Sequence, residues 1–205
     1  MTGAVHAFSR GPDLARRFLD AGMHLAFGGT LTGQLVANNR KGLSVGGNLR
    51  AVDIEMKSAL TDLAEVKRLS GKATVEFEFL GVGQSVDAIM KSLSGKGSLK
   101  MAQGVISGID LNALMRSGEG GGGTTVFDSL TATHTITNGN LMNEDLLLLL
   151  PNYRADGAGR IGLGSRDIDY VFTPVATRAN AGQRLAVPVR IKRPWSNPGI
   201  RRDLE

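Results

Sequence analysis

Residues 73–80, Ala-Thr-Val-Glu-Phe-Glu-Phe-Leu, decide the fold. On an extended chain successive side chains point to opposite faces. Ala73, Val75, Phe77 and Phe79 therefore share one face, and Thr74, Glu76 and Glu78 share the other. The segment reads as a strand with one apolar and one wet face, the pattern of an antiparallel sheet covered on one side only.

Working outward, the surroundings of this strand repeat. Leu69-Ser70-Gly71-Lys72 precedes it, and Leu93-Ser94-Gly95-Lys96 recurs 24 residues later, before a second strand that starts at Ser98. A short helical stretch leads into each copy. Residues 62–69 place Asp62 and Glu65 like a capping box, and Ser85 is placed to cap a helix with Val86, Ile89, Met90 and Leu93. Two copies indicate local duplication and are too few for a solenoid. Asp110 then caps a third short helix carrying Leu111, Leu114 and Met115.

Strand signals dominate on both sides of this unit. Residues 118–123 are glycine apart from Glu119 and predict a loop or linker. Extended stretches follow at 125–137 and 141–150, separated by Asn138-Gly139, a strong short hairpin signal. Alternation is lost at residues 146–150, which predicts a strand covered on both faces. Residues 159–163 and 167–174 and the row Leu185, Val187, Val189 and Ile191 complete the set. Upstream, residues 12–22 predict a short helix, and Gly28, Gly29 and Gly33 among apolar residues predict a hairpin bent at glycine. A polar turn at 38–42 and a strand over 43–56 follow.

The resulting fold class is α+β but β-dominated. It is a curved, mostly antiparallel sheet, an open groove or a partial sandwich, with three or four short helices. An amino-terminal β-rich portion, residues 1–60, precedes a better-organised region, 61–205.

Composition bounds the chemistry. The chain of 205 residues has no cysteine, which excludes disulfides, thiolate metal sites and cysteine nucleophiles. Its 28 glycines are about twice the usual share, and 5% aromatics is low, which suits turns and short strands. The formal charge of +5 and a pI near 9.8 are spread among acidic residues and read as a mildly basic surface. No apolar run approaches the roughly 18 residues of a membrane-spanning helix, and residues 1–10 do not read as a signal peptide.

Motifs that suggest catalysis lack their context. Gly157-Ala158-Gly159-Arg160-Ile161-Gly162 has the dinucleotide-loop spacing but continues as strand where a helix is needed. Gly42-Leu43-Ser44-Val45-Gly46 spells a nucleophile elbow inside an extended stretch, with His134 the only histidine downstream. His6, His24 and His134 stand apart from carboxylates at ligand spacing, so no metal site is read. Asp167 and Asp169 share a strand face and read as a solvated edge.

Four stretches taken in order resemble the carboxy-terminal region of the AsmA family of bacterial envelope proteins. They are residues 85–97 (SVDAIMKSLSGKG), 104–111 (GVISGIDL), 124–130 (TTVFDSL) with 136–139 (ITNG), and 185–192 (LAVPVRIK) with 194–198 (PWSNP). Arg193 stands where the family commonly has glycine, and Arg201-Arg202-Asp203 replaces its closing Pro-Asp pair. The family's amino-terminal inner-membrane anchor has no counterpart, so a fragment or an unusually short relative is expected.

The resemblance implies a non-enzymatic periplasmic segment serving outer-membrane biogenesis, facing or attached to the inner membrane in full-length relatives. It implies movement of phospholipid or another acyl lipid along a groove, as in bridge-like lipid-transfer proteins. The alternative is an interaction module whose partners are envelope proteins and which assists outer-membrane protein assembly. Neither reading calls for a cofactor, a metal or nucleic acid. Val75, Phe77, Phe79, Leu99 and Met101 are the candidate lipid-facing residues. Trp195 among Arg193, Arg201 and Arg202 is the candidate membrane-surface cluster, an aromatic ring with basic neighbours suited to anionic headgroups.

Overall fold

The computed structural model describes residues 28–38, 43–64, 67–117, 121–177, 186, 188–194 and 199–202. In chain order these form β1 (Thr30–Asn38), β2 (Ser44–Glu55), α1 (Met56–Ala64), β3 (Leu69–Val82), α2 (Val86–Ser92), β4 (Ser94–Ile109), α3 (Leu111–Ser117) and β5 (Gly121–Phe127). Next come β6 (Ser129–Thr137), β7 (Asn140–Leu149), β8 (Tyr153–Gly162), β9 (Asp167–Ala176), β10 (Val189–Pro194) and β11 (Gly199–Arg202). Every paired neighbour is antiparallel, in the order β1-β2-β3-β4-β6-β7-β8-β9-β10-β11, so the sheet is an open meander. β5 lies in line with β6 along β4: Gly104 pairs with Phe127 and Met101 with Leu130, in one unbroken register.

Three bulges keep the apolar side chains in phase across this meander. One extra residue separates Ala51 from Ile54 in β2, Met101 from Gly104 in β4, and Asn143 from Leu146 in β7. A bulge lets two residues three apart face the same way. Asp53 takes the positive φ of 57° that the first of these needs. Between β6 and β7, Asn138 and Gly139 have φ of 48° and 71°, as the predicted two-residue turn requires.

The core lies on one face, toward one end of the strands. Ile54, Ala73, Met101, Leu130, Leu148 and Ala155 form a buried row across neighbouring strands. Met56 of α1 and Leu111, Leu114 and Met115 of α3 close over it, together with Phe127. Phe127 needs a glycine opposite: a Cβ on Gly104 would stand 2.3 Å from its ring. Asp110 caps α3 by accepting the Ala113 amide at 2.9 Å, and Ser85 caps α2 by accepting that of Ala88 at 3.2 Å, as the sequence predicts. Helix α3 touches both β5 and β9. These lie three strand spacings apart, roughly 14 Å on a flat sheet, so the sheet curves around the helix.

Several local expectations are corrected. The helix expected at 62–69 is α1, which starts at Met56, and Asp62 lies inside it rather than capping it. The long partner β4 explains this: Leu69 and Ser70 pair with Ile106 and Val105, so sheet pairing claims residues 69–72 for β3. Gly33 lies within β1, not at a bend, and Gly121–123 belong to β5, not to a loop. β9 is an interior strand whose Asp167 and Asp169 are ion-paired, not a solvated edge. The leucine run is not covered on both faces: Leu148 is 0% exposed and Leu149 41%. The helix expected at 12–22 lies outside the described residues, as do Leu185 and Val187.

That last contrast is measurable. Leu148→Ala should cost about 2–5 kcal/mol in urea unfolding, the range for a buried leucine. Leu149→Ala, one residue away, should change stability by no more than about 0.5 kcal/mol. Equal losses would mean that both faces of β7 are covered.

Candidate functional site

Beyond the buried row no described helix packs over the middle of the same face, although Leu49, Ala51, Ile136, Asn143, Tyr170 and Val189 on it are buried. Register sets three further rows across the strands. The first runs through Leu31, Ala51, Val75, Leu99, Ala132, Leu146, Gly157, Phe172 and Val189. Leu49, Phe77, Gly97, His134, Asn143, Gly159, Tyr170 and Ile191 make the second. In the third are Leu35, Gly47, Phe79, Gly95, Ile136, Leu141, Ile161 and Ile168. Phe77, Phe79, Leu141, Ile161 and Ile168 stay half-buried, outside the closed core. At the far end α2 packs on the sheet margin, with Ile89 and Leu93 against Gly81.

From β1 to β9 the floor of these rows is uncharged, and register then places Arg193 and Arg202 at its end, opposite Ile168 and Val189, while the opposite face carries the ion pairs. There Arg50 pairs with Glu76 at 3.0 Å, Lys96 with Glu78 at 3.6 Å and Arg190 with Asp169 at 2.9 Å. Arg160 grips Asp167 with two hydrogen bonds and holds its carboxyl below the usual range; Arg190 does the same to Asp169. Ten strands at about 4.8 Å spacing make a floor on the order of 40 Å long, running across the strands. The site is thus a long apolar trough, plugged along one side by α1 and α3, with a charged outer wall.

The sequence-predicted lipid-facing residues divide between these two environments. Val75, Phe77, Phe79 and Leu99 lie on the trough floor, and the rings of Phe77 and Phe79 stack with centroids 5.5 Å apart. Met101 shares their face but is buried under the helices at 3% exposure, so it belongs to the closed core. Of the proposed membrane-surface group, Arg193 stands in β10 opposite Ile168, and Arg201 and Arg202 stand in β11 opposite Arg190 and Val189. Trp195 lies outside the described residues.

Between β2 and β9 three polar side chains interrupt these rows, all in the middle one. Tyr170 reaches back over the glycines of β8, where a Cβ on Gly157 would stand 3.0 Å from its hydroxyl, and donates to Asn143 Oδ1. Asn143 Nδ2 donates to Thr133 O at 2.7 Å and to Asp145 Oδ1 at 2.8 Å. Asp145 also accepts the Thr133 amide at 2.8 Å and its hydroxyl at 2.6 Å, bonds that lower its pKa. This network ties down the β7 bulge. Burial pushes the Tyr170 hydroxyl pKa up.

His134 is the third. A Cβ on Gly97 would come within 2.8 Å of its Cε1 and Nε2, so the ring lies across that glycine. Burial lowers its pKa below the ordinary histidine value, opposed by Asp145, which raises it. Sequence reasoning missed this trio and the far half of the floor. One signal was readable: Asn143 and Tyr170 break otherwise apolar parity, but only register brings them together.

The catalytic motifs do not assemble. Ser44 pairs with Val82 and His134 with Gly97, which puts them on opposite faces of the sheet and three strands apart. Residues 157–162 lie in β8 between two antiparallel neighbours, with a turn after them in place of a helix. Among the described residues no cluster of three metal-ligating side chains occurs, and no helix is long and apolar enough to cross a membrane.

Compared with known proteins, the family model described as the AsmA family matches residues 28–146, more than half of the 205. Neither a curated protein nor a solved structure matches the chain.

The electrostatics of the trough predict a titration. By NMR, His134 should titrate below about 6.5, the free histidine value, and Asp145→Asn should lower it further by removing the opposing charge. Below that free value the unfolded chain takes up a proton before the folded one does. Stability should therefore fall with pH until the folded pKa is passed, and His134→Phe should abolish that part of the pH dependence.

Proposed function

The chain belongs to the AsmA family, and from that premise we propose that it is a non-enzymatic periplasmic segment acting in outer-membrane biogenesis. Its trough carries the acyl chains of phospholipid between the inner and outer membranes. One observation supports this reading above the others: an uncharged floor runs across the eight strands from β1 to β9 that follow one another in the sheet, while the ion pairs between strands lie on the opposite face. A sheet that only had to be stable would cover that floor, because exposed apolar area forfeits about 25 cal/mol per Å².

The geometry suits chains that slide. Hydrocarbon contact is non-directional, so a floor of leucine, isoleucine, phenylalanine and glycine holds an acyl chain without fixing its position. Basic residues gather toward one end in β10 and β11, with Trp195 between those strands in sequence. That end is the one proposed to meet anionic headgroups.

Native mass spectrometry of protein extracted gently from an envelope should show bound phospholipid. Phe77→Glu with Phe79→Glu puts charge on the floor and should remove the adduct, whereas Thr74→Glu on the outer face should leave it. A wild-type protein that carries no lipid, yet recovers the same envelope proteins with a charged floor, would favour the interaction-module reading.

A further inference from the structure

His134 stands apart from every other residue of the trough floor. Its ring nitrogens make no hydrogen bond to the described residues and stay within reach of water, since no buried side-chain nitrogen or oxygen among them lacks a partner, and the ring itself is half-buried in the middle row. The neighbouring polar groups are already engaged: the Tyr170 hydroxyl donates a hydrogen bond to Asn143 Oδ1, and the Asn143 amide hydrogens go to Thr133 and Asp145. The remaining surroundings are apolar or glycine, with Gly97 beneath the ring and Phe77 beyond it on β3. Among the described residues the charged group that acts on the ring is Asp145. At neutral pH an imidazole in this setting is uncharged and offers one N–H and one lone pair.

We propose that His134 is a polar station on the floor, where its ring N–H donates to the carbonyl oxygen of an acyl ester, so that the trough prefers acylated lipids to plain hydrocarbon. The proposal rests on the trough reading and adds to it the residue that recognises the ester. An acyl chain lying on the floor displaces the water at this donor, which is then satisfied by an acceptor that arrives attached to the chain. Because the ring lies on a bare glycine, the ester passes at floor level without a side chain rising to block it. The Asn143–Tyr170 pair acts as a positioning element: it holds the β7 bulge beside His134 and contributes no free donor of its own.

The test uses the full chain and two probes that share a label and a chain and differ only in the ester: methyl pyrenedodecanoate and dodecylpyrene. Fluorescence titration of the wild type should show the ester bound about three- to tenfold tighter, the worth of one net hydrogen bond. In His134→Phe, whose ring fits over Gly97, the two affinities should become equal. His134→Gln, which keeps an N–H donor, should retain part of the preference, and circular dichroism checks that each variant keeps its sheet. Equal affinities in the wild type overturn the proposal and leave the trough standing, as does a preference that survives in His134→Phe. Binding of neither probe to the wild type overturns the trough reading and the station with it.

Discussion

Strand register is the constraint on which the rest of the structure depends. With a side-chain period of two, a slip of one residue in any strand would turn its apolar set to the charged face. Seven strands, from β2 to β9 in the sheet order, must stay in phase for Leu49, Phe77, Ile136, Leu141 and Ile168 to share one floor. The bulges in β2, β4 and β7 absorb one extra residue each, so the phase survives where the sequence breaks strict alternation. Cross-strand ion pairs on the outer face favour the same pairing, since Arg50 meets Glu76 and Lys96 meets Glu78 only in this register.

The high glycine content follows from the same geometry. A curved sheet crowds its inner face, and the large rings there lie across bare backbone on the neighbouring strand. Phe127 covers Gly104, His134 covers Gly97, and Tyr170 covers Gly157 and Gly159. Glycine on one strand and a ring on the next keep the floor level, which side chains of uniform size would not. Aromatics are few, yet these three rings each stand beside such a glycine.

How much of this was legible depended on range. The alternation in residues 73–80, the caps Ser85 and Asp110 and the Asn138-Gly139 turn are set by residues a few positions apart, and all were readable. The start of α1 was not, because residues 69–72 are claimed by pairing with β4, some 35 residues away. The leucine run misled for a related reason: five identical letters hide which of them face inward, and only the β7 bulge decides that Leu148 is buried and Leu149 is not. Of the five candidate lipid-facing residues, Met101 belongs to the closed core and Val75 and Leu99 pack against it, through contacts that no local pattern encodes, while Phe77 and Phe79 lie beyond it.

The division between closed core and open trough then explains how one sheet meets two opposed demands. Stability is concentrated at one end of the strands, where α1, α3 and Phe127 cover the row from Ile54 to Ala155. The other rows mix buried positions such as Leu49, Ile136 and Tyr170 with half-exposed ones such as Phe77, Phe79, Leu141, Ile161 and Ile168, and each half-exposed position adds to the cost. Helices inserted in the β2–β3 and β4–β5 connections supply cover at one side without crossing the floor, because each is only two turns or so long. A longer helix at either place would reach over Val75 and Phe77 and turn the trough into an ordinary core. The shortness of these helices is therefore as much a determinant of the open face as the apolar alternation that lines it.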